Sequence, residues 1–134
     1  MTYLFDSLKG IKGQIADGSL RVVDSFAAEE ELEFGAALER GTDPDKQVKM
    51  YDDGVFAGVA LFSPTEKDDV YKEKTQAAVL TKGRVFVDVL SVEVVAGEKA
   101  YLTAAGAFTN VEGSNLLIGR FLSSGDGLQI LELN

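Results

Sequence analysis

The sequence predicts an all-β fold: a small β-barrel or jelly-roll-like sandwich carrying an extended N-terminal arm. Three observations lead there. Apolar residues recur with a period of two over most of the chain, Gly, Asp, Asn and Pro punctuate it about every 8 to 12 residues, and only residues 27–32 collect strong helix formers. Closing such a sheet on itself removes exposed edges, which matters more as strands become more apolar.

The organisation expected is an arm over residues 1–18 followed by one domain over residues 19–134. In the arm, Leu4, Leu8, Ile11 and Ile15 stand three and four apart, as on one helix face, but Gly10 and Gly13 interrupt that face at about 1 kcal/mol each. Two readings follow: a short helix packed on its own domain, or an extended segment that orders against a partner through Tyr3, Phe5, Leu8, Ile11 and Ile15. The arm is the reading carried forward.

The first strand begins near residue 20, with Leu20, Val22 and Asp24 on one side and Arg21, Val23 and Ser25 on the other. Apolar residues on both sides fit a strand covered on both faces. Residues 34–40 form the next strand, closed by Gly41, Asp43, Pro44 and Asp45. Asp53-Gly54 between apolar runs predicts a hairpin pairing residues 47–51 with 55–62. Residues 63–75 read as a surface loop, with Val70 and Tyr71 facing inward. Residues 77–80 and 84–90 flank Thr81-Lys82-Gly83, where glycine supplies the positive φ of a tight turn. Strands at 99–103 and 108–109 follow, and residues 116–123 and 128–133 make a closing hairpin across 124–127.

Composition limits the chemistry. The 134 residues carry 13 basic and 22 acidic side chains, for a formal net charge of -9, and contain no histidine and no cysteine. Nucleic acid is a poor partner for such a chain, because that affinity comes from lysines and arginines displacing counterions. Ser-His and Cys-His catalysis lack their base, zinc lacks its usual ligands, and disulfides are impossible. No apolar run approaches the roughly 20 residues of a membrane span, and the N-terminus has no basic leader, so a soluble, leaderless protein without a membrane partner is expected.

Carboxylates alone can hydrolyse glycosides, and Asp88 shares a strand face with Phe86 and Leu90. A hydrogen-bonded or rim-facing aspartate is the simpler reading. Asp43, Asp45, Asp52 and Asp53 lack calcium-loop spacing and serve as turn residues. Gly10 and Gly13 are too sparse for a phosphate loop. No catalytic residue, cofactor or metal is expected, which leaves binding or assembly.

A series of short motifs in order then carries a resemblance. Gly13-Gln14-Ile15-Ala16-Asp17, Phe34-Gly35 leading to Arg40-Gly41-Thr42, Val48-Lys49, and Phe56-Ala57-Gly58-Val59-Ala60 come first. Val79-Leu80-Thr81-Lys82-Gly83-Arg84-Val85-Phe86-Val87 follows, then Ala96-Gly97, Ala100-Tyr101, Phe108-Thr109-Asn110 and Gly119-Arg120-Phe121-Leu122-Ser123-Ser124. Over nearly the whole chain these resemble the structural cement, or capsid decoration, proteins of tailed bacteriophages.

The resemblance implies a non-enzymatic protein, made in the host bacterial cytoplasm, that coats the outer capsid surface of the virion. There it bridges neighbouring subunits of the major capsid protein and strengthens the shell. It implies a homo-oligomer, a trimer before a dimer. Tyr3, Phe5, Leu8, Ile11 and Ile15 would lie on a capsid or neighbouring subunit, and Glu29 and Glu30 would face basic patches there. The competing reading is a virion surface module that binds a host receptor or glycan through Tyr51 or Tyr71.

Overall fold

A computed structural model of the protein describes residues 12–16, 21–66, 68–90 and 92–133. Among these the chain forms β1 (Val22–Ala28), β2 (Leu32–Glu33), β3 (Ala37–Arg40), β4 (Gln47–Met50), β5 (Phe56–Ala60) and β6 (Val70–Tyr71). It continues through β7 (Gln76–Asp88), β8 (Lys99–Leu102), β9 (Phe108–Thr109), β10 (Leu116–Phe121) and β11 (Leu128–Leu133). No helix occurs among the described residues, so the expected all-β class is what the chain adopts.

Five strands close a barrel in the order β1-β4-β3-β5-β7, because β1 pairs in parallel with β4 and antiparallel with the first half of β7. Its interior is packed with Phe26, Leu38, Val48, Ala57, Ala77 and Val79. β6, within the stretch 63–75 read as a loop from sequence, pairs with β2. The pair adds Leu32 and Tyr71 to this core, where Tyr71 stacks edge-on to Phe34 at 5.1 Å and donates to the Leu61 carbonyl at 2.6 Å.

The second half of β7 leaves the barrel and starts a second sheet, β7-β11-β10-β8-β9. A second core fills the space between the layers, with Val59 and Leu80 from the barrel meeting Val85, Val87, Leu102, Phe121 and Leu131.

The turn expected at Thr81-Lys82-Gly83 is absent: β7 runs through it unbroken. Across from it the register slips, with Val22 opposite Lys82 but Val23 opposite Leu80, so one residue is extra. That is a β-bulge. Its consequence is a change of phase. Before the bulge Ala77 and Val79 face the barrel interior; beyond it Val85, Val87 and Val89 face the inter-layer core, the side that Leu80 served before it. A single strand thereby supplies both cores. Gly83 takes φ 131°, and a Cβ there would stand 2.8 Å from the Arg21 Cβ, so glycine is required by crowding and conformation without any reversal of the chain.

The expected hairpin between residues 47–51 and 55–62 also fails. β3 sits between β4 and β5 and pairs with both. Residues 51–55 therefore cross over β3 instead of turning back beside it. Glu39, buried on β3, holds the crossover: its Oε1 accepts from the Asp52 amide at 2.6 Å and the Gly54 amide at 2.9 Å, and its Oε2 lies 3.5 Å from Lys49 Nζ. An Asp-Gly signal reports a change of direction, but which strand lies next door is a tertiary matter. By contrast, β10 and β11 do form the closing hairpin as read.

The end of the expected arm pairs with its own domain. Gly13 and Ala16 donate to the carbonyls of Phe86 and Arg84, and Phe86 donates to Gln14. The segment thus covers the side of β7 opposite β11, which would otherwise be an open edge. It comes so close to the β2–β3 bend that a Cβ on Gly13 would lie 2.7 Å from the Gly35 amide nitrogen.

Candidate interaction surface

The second sheet repeats the chain path of the barrel's β3–β5 unit. β8 lies between β9 and β10 and pairs antiparallel with both, so residues 110–115 form a second crossover. The two crossovers face each other across an open cleft of about 540 Å³, lined among others by Tyr51, Asp53, Gly54, Ser114 and Leu116. Neither this cleft nor any other place among the described residues gathers three acidic metal ligands.

The outer face of the second sheet exposes Lys99, Arg120 and Leu117 and buries Tyr101 and Thr109. Its registers align Arg84, Glu132, Arg120 and Lys99 in one row across four strands. Arg84 Nε donates to Glu132 Oε2 at 3.0 Å, whereas Arg120 and Lys99 are exposed and make no ion pair among the described residues. Leu117 stands on the same face opposite Tyr101 and is 47% exposed. Val95 and Val111 are exposed nearby, on loops bound together through Glu98, whose Oε1 accepts from the Val95 amide and from Asn110 Nδ2. Those two bonds, the Asn110 one first, hold the Glu98 carboxyl below its ordinary range.

At the other end of the barrel acids and lysines mix, with Lys46 and Lys74 bonded through their backbones to Ala27 and Ala28. Glu29, Glu30 and Glu31 follow β1, and the β3–β4 turn brings Asp43 and Asp45 beside them. Glu29 accepts from Thr42 Oγ1 at 2.6 Å and from the Thr42 amide at 2.7 Å, which lowers its pKa. Glu30 is exposed.

Of the interface residues read from sequence, Tyr3, Phe5, Leu8 and Ile11 lie outside the described residues. Ile15 bridges to Val85 and packs half-buried on the inter-layer core. Asp88, the one carboxylate weighed for catalysis, accepts at Oδ1 from the Leu90 amide at 2.7 Å, a local backbone cap. Tyr71 is buried and Tyr51 nearly so, at the lining of the cleft, and burial raises both phenol pKa values. The exposed row on the second sheet was missed from sequence. Its alternation is visible there, but the alignment of Arg84, Arg120 and Lys99 depends on register.

A closed barrel sharing one strand with an open sheet, with capped carboxylates and exposed rims, defines a structural module. The comparisons agree. The family model for the structural cement protein (E217 gp24/Pam3 gp6) matches residues 2–134, and the chain belongs to this phage cement family. Among solved structures, a chain of the capsid of Myoviridae Phage XM1 is similar with a TM-score of 0.76 and 18% sequence identity, over 92% of this chain and 89% of that one. At that identity the likeness is one of fold. No curated protein matches significantly.

Proposed function

We propose that the protein is a capsid cement that binds the outer face of a tailed-phage head, bridges neighbouring major capsid subunits and stabilises the shell. The observation that carries this is the family match over residues 2–134. A role without catalysis accords with the carboxylates singled out above, which are committed to backbone and side-chain caps. In this reading the protein is made in the host cytoplasm and joins the shell as a homo-oligomer, a trimer before a dimer. Residues 1–18 supply the anchor through Tyr3, Phe5, Leu8 and Ile11, while residues 19–134 supply the rigid body. Each large apolar side chain buried on the shell contributes roughly 1.5 to 3 kcal/mol before ordering costs.

The test is cryo-electron microscopy of expanded empty shells incubated with the full chain or with a copy lacking residues 1–12. Density bridging capsid subunits is expected for the full chain and weakened density for the shortened one. Full occupancy by the shortened copy moves the anchor into the β domain, and no density for either removes the cement reading.

A further inference from the structure

The cleft between the two crossovers holds polar groups that the described residues do not satisfy. Tyr51 is only 8% exposed, yet its hydroxyl makes no hydrogen bond among the described residues, where no sealed side-chain atom goes unpartnered. The hydroxyl therefore opens into the cleft that the ring lines. Asp53 lines the same cleft, and its exposed carboxylate has no hydrogen bond or ion pair among the described residues. The two groups are close: after burial, the Asp53 charge is the next cause that raises the Tyr51 phenol, which stays neutral.

Charge and shape select the same ligand. The crossovers, residues 51–55 and 110–115, carry Asp52, Asp53 and Glu112 and no basic residue, and the turn at 103–107 has none either. Lys49, on the strand that leads into the first crossover, is engaged by Glu39 at 3.5 Å. Glu39 also accepts from the amides of Asp52 and Gly54, on both sides of Asp53, and so holds that carboxylate on a fixed loop. Leu102, Ala104 and Leu116 supply apolar walls. Asn115, whose Nδ2 is spent on the Val111 carbonyl, offers its oxygen. The volume of about 540 Å³ falls within the range of ligand sites, about 300 to 1,000 Å³. Acceptors above apolar walls suit a guanidinium better than an ammonium, because it is planar and weakly hydrated, carries five donors and ends an aliphatic stem.

We propose that this cleft is a socket for an arginine side chain of a partner protein. The guanidinium is held between the Asp53 carboxylate and the Tyr51 hydroxyl, with its stem against Leu102 and Leu116. Naming a major capsid subunit as the source of that arginine rests on the cement reading; the socket itself does not.

The experiment is an NMR titration of the full chain with N-acetyl-arginine methylamide and with its citrulline counterpart, which has nearly the same shape and no charge. The arginine compound is expected to shift the amides of Tyr51, Asp53, Ser114 and Leu116 with a Kd on the order of millimolar. Citrulline should bind at least about tenfold more weakly. Asp53→Asn should weaken arginine binding at least about tenfold, and Tyr51→Phe, which removes only the hydroxyl, about threefold. Asparagine tolerates the positive φ of Asp53 as aspartate does, and an unchanged unfolding midpoint checks that the variant is folded. No shifts at the cleft, equal shifts with citrulline, or an Asp53→Asn form that binds like the parent overturns the proposal. So does N-acetylglucosamine shifting these amides where arginine does not, which would give the cleft to a glycan. On expanded shells, Asp53→Asn should show lower occupancy than the parent. Equal occupancy removes the capsid as the source of the arginine, and a parent that binds arginine but no shell overturns the cement reading and leaves the socket standing.

Discussion

The β3–β5 and β8–β10 units follow the same path and meet different ends. In each, a central strand pairs with the two strands that follow it, and a crossover joins those two over its face. In the first unit β1 takes the outer side of β4, which closes the barrel. The crossover there is tied down by the buried Glu39. In the second unit no described strand takes the outer side of β9, and the ties, Glu98 and Asn110, lie near the surface. Exposed Val95, Val111, Leu116 and Leu117 belong to this second region, and exposed Val22, Val23 and Val55 to the barrel. Strand content is alike in the two; closure is what separates them.

The strongest way to break the comparison is to remove what joins the two units. Deleting Thr81 takes the extra residue out of the bulge, so Val85, Val87 and Val89 can face their core only if Ala77 and Val79 leave theirs. Loss of a cooperative unfolding transition in urea is expected. A sharp transition near the parent's midpoint would show that the bulge is dispensable.

Glu39→Ala strikes the closed unit alone. It strands two amides and a lysine around a buried site, and a loss of about 3 kcal/mol is expected from urea denaturation. Glu39→Gln, which keeps an acceptor for the amides, should lose less. Equal losses would mean that the space filled by the side chain matters and its hydrogen bonds do not.

Gly13→Ala tests the cover over β7. Positive φ and three backbone neighbours within 3 Å of the new Cβ oppose it. A cost of about 2 kcal/mol is expected, with faster hydrogen exchange at the Phe86 amide, which donates to Gln14. Unchanged exchange there would show that this segment does not protect the strand.

The smallest effect belongs to the open unit. Glu98→Gln should speed exchange of the Val95 amide and leave the unfolding midpoint almost unmoved. In the parent, the depressed Glu98 pKa means that its bonds are intact above the ordinary value of 4.5. They are lost as pH falls through the lower folded value. Protection of Val95, corrected for intrinsic exchange, should therefore decline below about pH 4.5 in the parent and stay level in the variant. A parallel decline in both would assign the pH dependence to another group.

The alternation of Val85, Val87 and Val89 made the all-β class and several strand positions legible. The Ser124–Gly127 turn likewise revealed the last hairpin, because there the neighbours in sequence are also neighbours in the sheet. Where these part company, local signals misled. Gly83 marks a slip of register, which has the same conformational demand as a turn. Asp53-Gly54 marks a crossover, because β3 comes between the two flanking strands. The basic face was hidden for the same reason: Arg84, Arg120 and Lys99 become neighbours only through pairings of β7, β11, β10 and β8. The order of motifs along the chain was legible as a family likeness without any of this geometry.

The continuity of β7 across both layers has a mechanical consequence. Its ladder bonds lie crosswise to the strand, so tension applied along it loads many of them together in shear, whereas a strand pulled off sideways would part from its neighbour one bond at a time. A pull on the open sheet therefore passes down one unbroken backbone into the closed barrel, and the barrel resists it as a whole.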